Sequence, residues 1–132
     1  MSKDLTVPIP SGLQLTNMTR PNGQHVQLIW DGKNRGSSIA IRLSDHFDKR
    51  VKELPIRLAD KWKLKSLPKV QVRVKNRRKY EYCEVITGSA HILTGYLKFN
   101  SVVAFVELTA KISEKSTLNS KTVFSIIDGI NK

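Results

Sequence analysis

The chain has 132 residues, enough for one ordinary domain with a real core and too few for two. Its 23 Lys and Arg against 11 Asp and Glu give a formal charge of +12 and a pI near 10.1, which argues against a free enzyme of small neutral substrates and makes nucleic acid the leading partner, ahead of a membrane surface. The single cysteine, Cys83, excludes an internal disulfide and a multi-cysteine zinc site and suits a reducing cytoplasm.

Residues 1–24 read as an N-terminal arm. Pro8, Pro10 and Pro21 interrupt any strand ladder, Gly12 and the turn Pro21-Asn22-Gly23 break it further, and only Leu13 and Leu15 suggest a short strand. Met1 to Leu5 lacks the charged start, apolar stretch and cleavage site of a secretory signal, so export by that route is not expected. The main domain is expected over 25–132. Val26, Leu28 and Trp30 alternate into Asp31-Gly32-Lys33-Asn34-Arg35-Gly36, and Ile39, Ile41 and Leu43 alternate out, predicting a hairpin with a long basic loop.

Ser44 to Leu54 supports two readings: a short helix capped by Ser44, with Phe47, Val51 and Leu54 on one face and Pro55 as its stop, or an irregular connection. Trp62 and Leu64 then mark a strand, Pro68 a turn, Val70 to Val74 a second strand, Asn76 to Lys79 a basic loop, and Tyr80 to Thr87 a third strand. A strand over 92–99 turns at Asn100-Ser101 into the longest alternation. There Val102, Ala104, Val106, Leu108, Ala110 and Ile112 share one face, and Val103, Phe105, Glu107, Thr109 and Lys111 the other. Leu118, Thr122, Val123, Ile126, Ile127 and Ile130 recur at helical spacing, with Asn119 or Ser116 as cap. The fold class is α+β.

From Lys61 to Lys79 the chain carries nine basic side chains and no acidic one. Alternation places Lys61, Lys63 and Lys65, then Lys69, Arg73 and Lys75, on one sheet face, with Trp62, Leu64, Val70, Val72 and Val74 on the reverse. A cationic sheet face wants a polyanion. The charge sits on strand-like segments and no apolar run approaches the roughly 18 residues of a span, so no membrane partner is expected.

Five or six strands at about 4.8 Å make a sheet roughly 25 Å across, and one helix about 10–12 Å wide cannot cover it. The leftover stripe of Val70, Val72, Val74, Val106 and Leu108 predicts a homodimer in which a second copy closes the apolar side. The alternative is a monomer in which residues 44–54 supply a second helix.

A hairpin around Ile29-Trp30-Asp31-Gly32, a Trp-bearing strand, Lys69-Val70-Gln71-Val72-Arg73-Val74, a loop ending Arg78-Lys79-Tyr80, and Val106-Glu107-Leu108-Thr109 leading into a terminal helix follow one another in this order. The series resembles the coat protein of small single-stranded RNA bacteriophages, the levivirus type, over residues 25–131. The resemblance implies an N-terminal hairpin, a five-stranded antiparallel sheet and C-terminal helix packing across a homodimer. It also implies a quasi-equivalent icosahedral shell assembled in the bacterial cytoplasm, in which the sheet faces inward and packages the RNA genome.

The family's RNA-facing positions fall on Lys69, Gln71, Arg73 and Lys75, with Phe105 offering a ring for base stacking. Recognition of an RNA hairpin, which in such phages also represses translation, would draw on Tyr96, Lys98 or Phe105. Glu81, Cys83 and Glu84 depart from the family pattern and predict a bulge or register shift.

Two other classes compete. A cellular RNA-binding β protein, ribosomal or regulatory, would use the basic loops Lys33 to Arg35 and Asn76 to Lys79. A nuclease would need Asp45, His46 and Asp48, which lie too close in sequence to form a preassembled site. No phosphate-binding glycine loop, HExxH motif or nucleophile elbow occurs, so no enzymatic activity, cofactor or metal is expected. His25 and His91 read as ordinary sheet residues, and Trp30 and Trp62 as core.

Overall fold

The longest alternation in the chain builds the centre of the sheet. In the computed structural model, which describes residues 5–132, the strands are β1 (Gln14–Thr19), β2 (His25–Trp30), β3 (Ser38–Ser44), β4 (Gln71–Lys75), β5 (Arg78–Ile86), β6 (Ala90–Phe99) and β7 (Val102–Lys111). They form one antiparallel sheet in the order β1-β2-β3-β7-β6-β5-β4. The expected five-stranded sheet with a separate hairpin is thus corrected to seven strands. The hairpin, β2 and β3, pairs as predicted but continues into β7 and belongs to the same layer.

Two helices cover opposite faces. Helix α2 (Ser120–Gly129) buries Val123, Ile126 and Ile127 against Ile39, Ile41, Leu97, Val106 and Leu108. Helix α1 (Phe47–Trp62) buries Phe47, Val51, Leu54 and Leu58 against Cys83, Val85, Ile92 and Tyr96. Both faces of β5 and β6 are therefore core, which corrects the expectation of one apolar and one cationic face.

Residues 47, 51, 54 and 58 form a helical stripe that runs straight through Pro55. The proline forfeits one backbone hydrogen bond, and burial of Leu58 beyond it outweighs that loss. The helix stops instead at Lys63, in a left-handed conformation with φ 53°, where the Leu64 N–H donates to the Ala59 carbonyl at 2.9 Å. The strand expected at Trp62 and Leu64 is thus a helix end. Helix α2 starts on a capping box in which the Thr122 N–H donates to Asn119 Oδ1 at 3.1 Å and the Asn119 N–H to Thr122 Oγ1 at 3.2 Å. Its last carbonyls, of Ile127 and Ile130, accept from the Arg78 guanidinium.

The N-terminal arm is not loose over its described part; its first four residues lie outside the described residues. Leu5 is buried, Thr6 bridges Asn131 with hydrogen bonds of 2.7 and 2.9 Å, and Val7 and Leu13 pack on the α2 cluster. Strand β5 pairs with β6 without a break from Lys79↔Lys98 to Ile86↔His91, so the expected bulge is absent. Glu84 is exposed and meets the His91 imidazole at 2.6 Å. Asn76 and Arg77, both at positive φ, make a two-residue hairpin turn, which places Arg78 and Lys79 in β5 rather than in a basic loop.

Candidate nucleic-acid interface

Register decides which face each basic residue of β4 occupies. Arg73 pairs with Tyr80, which pairs with Leu97 and then Ala104, so Arg73 belongs to the α2 side. There its guanidinium donates to both carboxylate oxygens of Asp128, at 2.7 and 3.0 Å, and lies 4.8 Å from the centre of the Phe124 ring. Lys75 Nζ stands 3.5 Å from the same carboxylate. Val72 and Val74, expected in the core, lie on the α1 side beyond the helix and are 55% and 68% exposed. The two faces of β4 are reversed from expectation because Asp128 draws the arginine inward.

The ten predicted RNA contacts therefore divide. Gln71, Arg73 and Lys75 lie on the α2 side, and Tyr96, Lys98 and Phe105 on the α1 side. Lys61 ends α1, Lys63 is its cap, and Lys65 and Lys69 lie in the connection to β4. Tyr96 is only 3% exposed and meets the Phe105 ring edge-on at 5.3 Å. The Arg42 guanidinium sits 4.2 Å above the Phe105 ring. The Tyr96 ring is thus buried, while Phe105 is half-buried with Arg42 over its ring. Lys98 is exposed, in a row with Val74, Lys79 and Val103.

The sequence reading missed a cleft beside α1. Seven strands span about 29 Å, so α1, over β5 and β6, does not reach across β1, β2 and β3, although Val26 on that side is buried. Where helix meets open sheet, a cavity of about 220 Å³ is lined by Arg20 and Arg42 from the sheet side, Arg57 and Lys61 from α1, and Thr94, Tyr96, Phe105 and Glu107 on its floor. A second, apolar hollow of about 310 Å³ lies on the open strands between Thr16, Leu28, Trp30, Arg35 and Ser38. The Trp30 indole, expected in the core, is half-exposed here and donates to Thr16 Oγ1 at 2.9 Å. Arg42 occupies a polar-face strand position between Ile41 and Leu43, and that alternation was the available signal.

The electrostatics of the cleft are unbalanced. Arg57 pairs with Glu53 at 3.0 Å on the exposed side of α1, and Glu107 accepts from the Thr94 hydroxyl at 2.9 Å. Arg42 has no carboxylate within ion-pair distance among the described residues, and its Nε is buried without a hydrogen-bond acceptor. Burial, the largest influence on it, lowers the Arg42 pKa, with Tyr96 acting the other way.

The residues of the nuclease alternative lie at the start of α1, with His46 Nε2 4.0 Å from the Asp45 carboxylate. Asp45 accepts from Arg50 at 2.9 Å, which holds its carboxyl below the usual range, and Asp48 sits exposed in the first turn of α1. Among the described residues no cluster of three His, Cys, Asp or Glu is arranged to hold a metal. The Cys83 thiol is buried, which pushes its pKa up to about 11 and makes it a packing group rather than a nucleophile. Among the described residues no helix is long and apolar enough to cross a membrane. No protein-family model matches the chain, and no curated protein does either.

Proposed function

We propose that the protein binds single-stranded RNA, chiefly through phosphate neutralisation, as a structural subunit that packages it. The observation that carries this reading is a set of exposed cations, Lys61, Lys63, Lys65, Lys69 and Lys98, none within ion-pair distance of a carboxylate among the described residues. Such charges repel one another until a polyanion neutralises them, and its condensed counterions are then released to the solvent. A capsid-type role in a bacteriophage virion, with homodimers closing into an icosahedral shell, is supported by the order of hairpin, sheet and terminal helix. The homodimer is further supported by the free edge of β4, whose Val72 and Val74 offer apolar surface to a second copy.

One observation favours a second reading, a cellular RNA-binding protein acting as a monomer. Helix α1 lies on the sheet face that a coat subunit would turn to its genome, and each helix roofs its own core cluster.

Titrating oligouridylate at several salt concentrations tests the common ground. Replacing Lys61, Lys63 and Lys65 with Gln should make the logarithmic salt slope shallower by about 2, from about 0.7 per phosphate contact. An unchanged slope removes these lysines from the interface, and absence of binding at low salt ends the reading. Sedimentation and electron microscopy of the protein with RNA separate the two roles: closed particles support the capsid, and a monomeric complex the cellular protein.

A further inference from the structure

Resting on the RNA-binding reading, we propose that one RNA strand crosses the open half of the sheet, seating a phosphate in the Arg42 cleft and stacking a base on Trp30. The cleft is built for a small anion. Arg20, Arg42, Arg57 and Lys61 face it, Arg57 already paired with Glu53, against one lining carboxylate, Glu107, which accepts from the Thr94 hydroxyl and keeps its charge. A guanidinium withdrawn from water without a counter-anion is costly, and its stacking on Phe105 offsets only part of that cost. A phosphate seated there would supply the counter-anion that Arg42 lacks among the described residues. At about 220 Å³ the cavity falls below the roughly 300 Å³ at which drug-sized ligands are accommodated, so it suits a phosphate better than a whole cofactor.

The Trp30 hollow lies on the same side of the sheet. Trp30 neighbours Ser38, which pairs with Thr109, in turn paired with Ile92 of the α1 cluster. Ser38 and Arg42 are four residues apart on β3, about 13 Å, a span of several stacked nucleotides at about 3.4 Å each. Arg35 at the rim of the hollow supplies a charge for the backbone of the stacked nucleotide. An indole at the sheet surface and an arginine cluster one strand-length away form the stacking platform and electrostatic groove that single strands use.

The chain has two tryptophans, Trp30 and Trp62, so the Trp62→Phe protein reports on Trp30 alone. Adding oligouridylate should quench its indole fluorescence. Arg42→Gln and Arg35→Gln should each weaken binding several-fold and make the salt slope shallower, whereas Trp30→Leu should weaken it about five- to a hundredfold with the slope unchanged. Full affinity in Arg42→Gln and Trp30→Leu, or unquenched Trp30 fluorescence at saturating RNA, overturns the proposal. If the Lys61, Lys63 and Lys65 variant then still loses affinity, the strand lies elsewhere and RNA binding stands. If no RNA binds even at low salt, both fail. Circular dichroism establishes that each variant is folded, and the fluorescence readout needs no change at Trp30.

Discussion

Arg73 clasps Asp128 through both terminal nitrogens, at 2.7 and 3.0 Å, and so ties the edge strand β4 to helix α2 across 55 residues of chain. Both side chains are about three-quarters covered, so the contact is worth more than a surface ion pair. Arg73→Ala and Asp128→Asn should each cost about 1.5 kcal/mol, at the lower end for hydrogen bonds to charged groups. Urea denaturation should show the double variant losing less than the sum of the two.

The same contact gives a pH dependence. Arg73, and less strongly Lys75, hold the Asp128 carboxyl below its ordinary value of 3.8. A depressed folded-state pKa contributes stability that is complete above the unfolded value and disappears as pH falls through the folded one. Stability should therefore fall on acidification below about pH 4, with a smaller drop in Asp128→Asn. Equal acid sensitivity in both proteins would assign the transition to other carboxylates.

Arg77 occupies a left-handed conformation at φ 61° in the two-residue turn, beside Asn76 at φ 52°. A side chain there costs about 1 kcal/mol that glycine does not. Arg77→Gly should raise the urea midpoint, while any loss of RNA affinity in it would count Arg77 among the phosphate contacts.

Gly95 lies in the middle of β6, where an added Cβ would come within 2.5 Å of the Glu81 carbonyl oxygen and 2.6 Å of Tyr82 Cβ. Those neighbours belong to the paired strand and cannot swing aside. Gly95→Ala should destabilise by about 1–3 kcal/mol, as overpacking does, and calorimetry of the pure variant measures it.

The strands were legible because period-two alternation reads directly as a pleat, as in Val102 to Ala110, and α2 because Asn119 and the Val123, Ile126, Ile127 stripe agree on one helix. Helix α1 was half legible. Its stripe from Phe47 to Leu58 is regular, but Pro55 reads as a stop, and Lys61 to Lys65 alternate with Trp62 and Leu64 as a strand would. Alternation also separates two faces without naming the inner one. At Arg73 a carboxylate 55 residues away made the choice, and no local pattern carries that information. The Arg42 cleft needed both the turn-by-turn path of α1 and the strand order, so single-segment reading could not assemble it.

The two core clusters share no side chain and meet only through the backbone of the sheet between them. Each helix therefore rests on a cluster of its own, the arrangement in which local opening of one need not expose the side chains under the other. Amide protons of α1 and α2 should then exchange with solvent at separate rates, the wall of the Arg42 cleft opening independently of the cover held by Asp128.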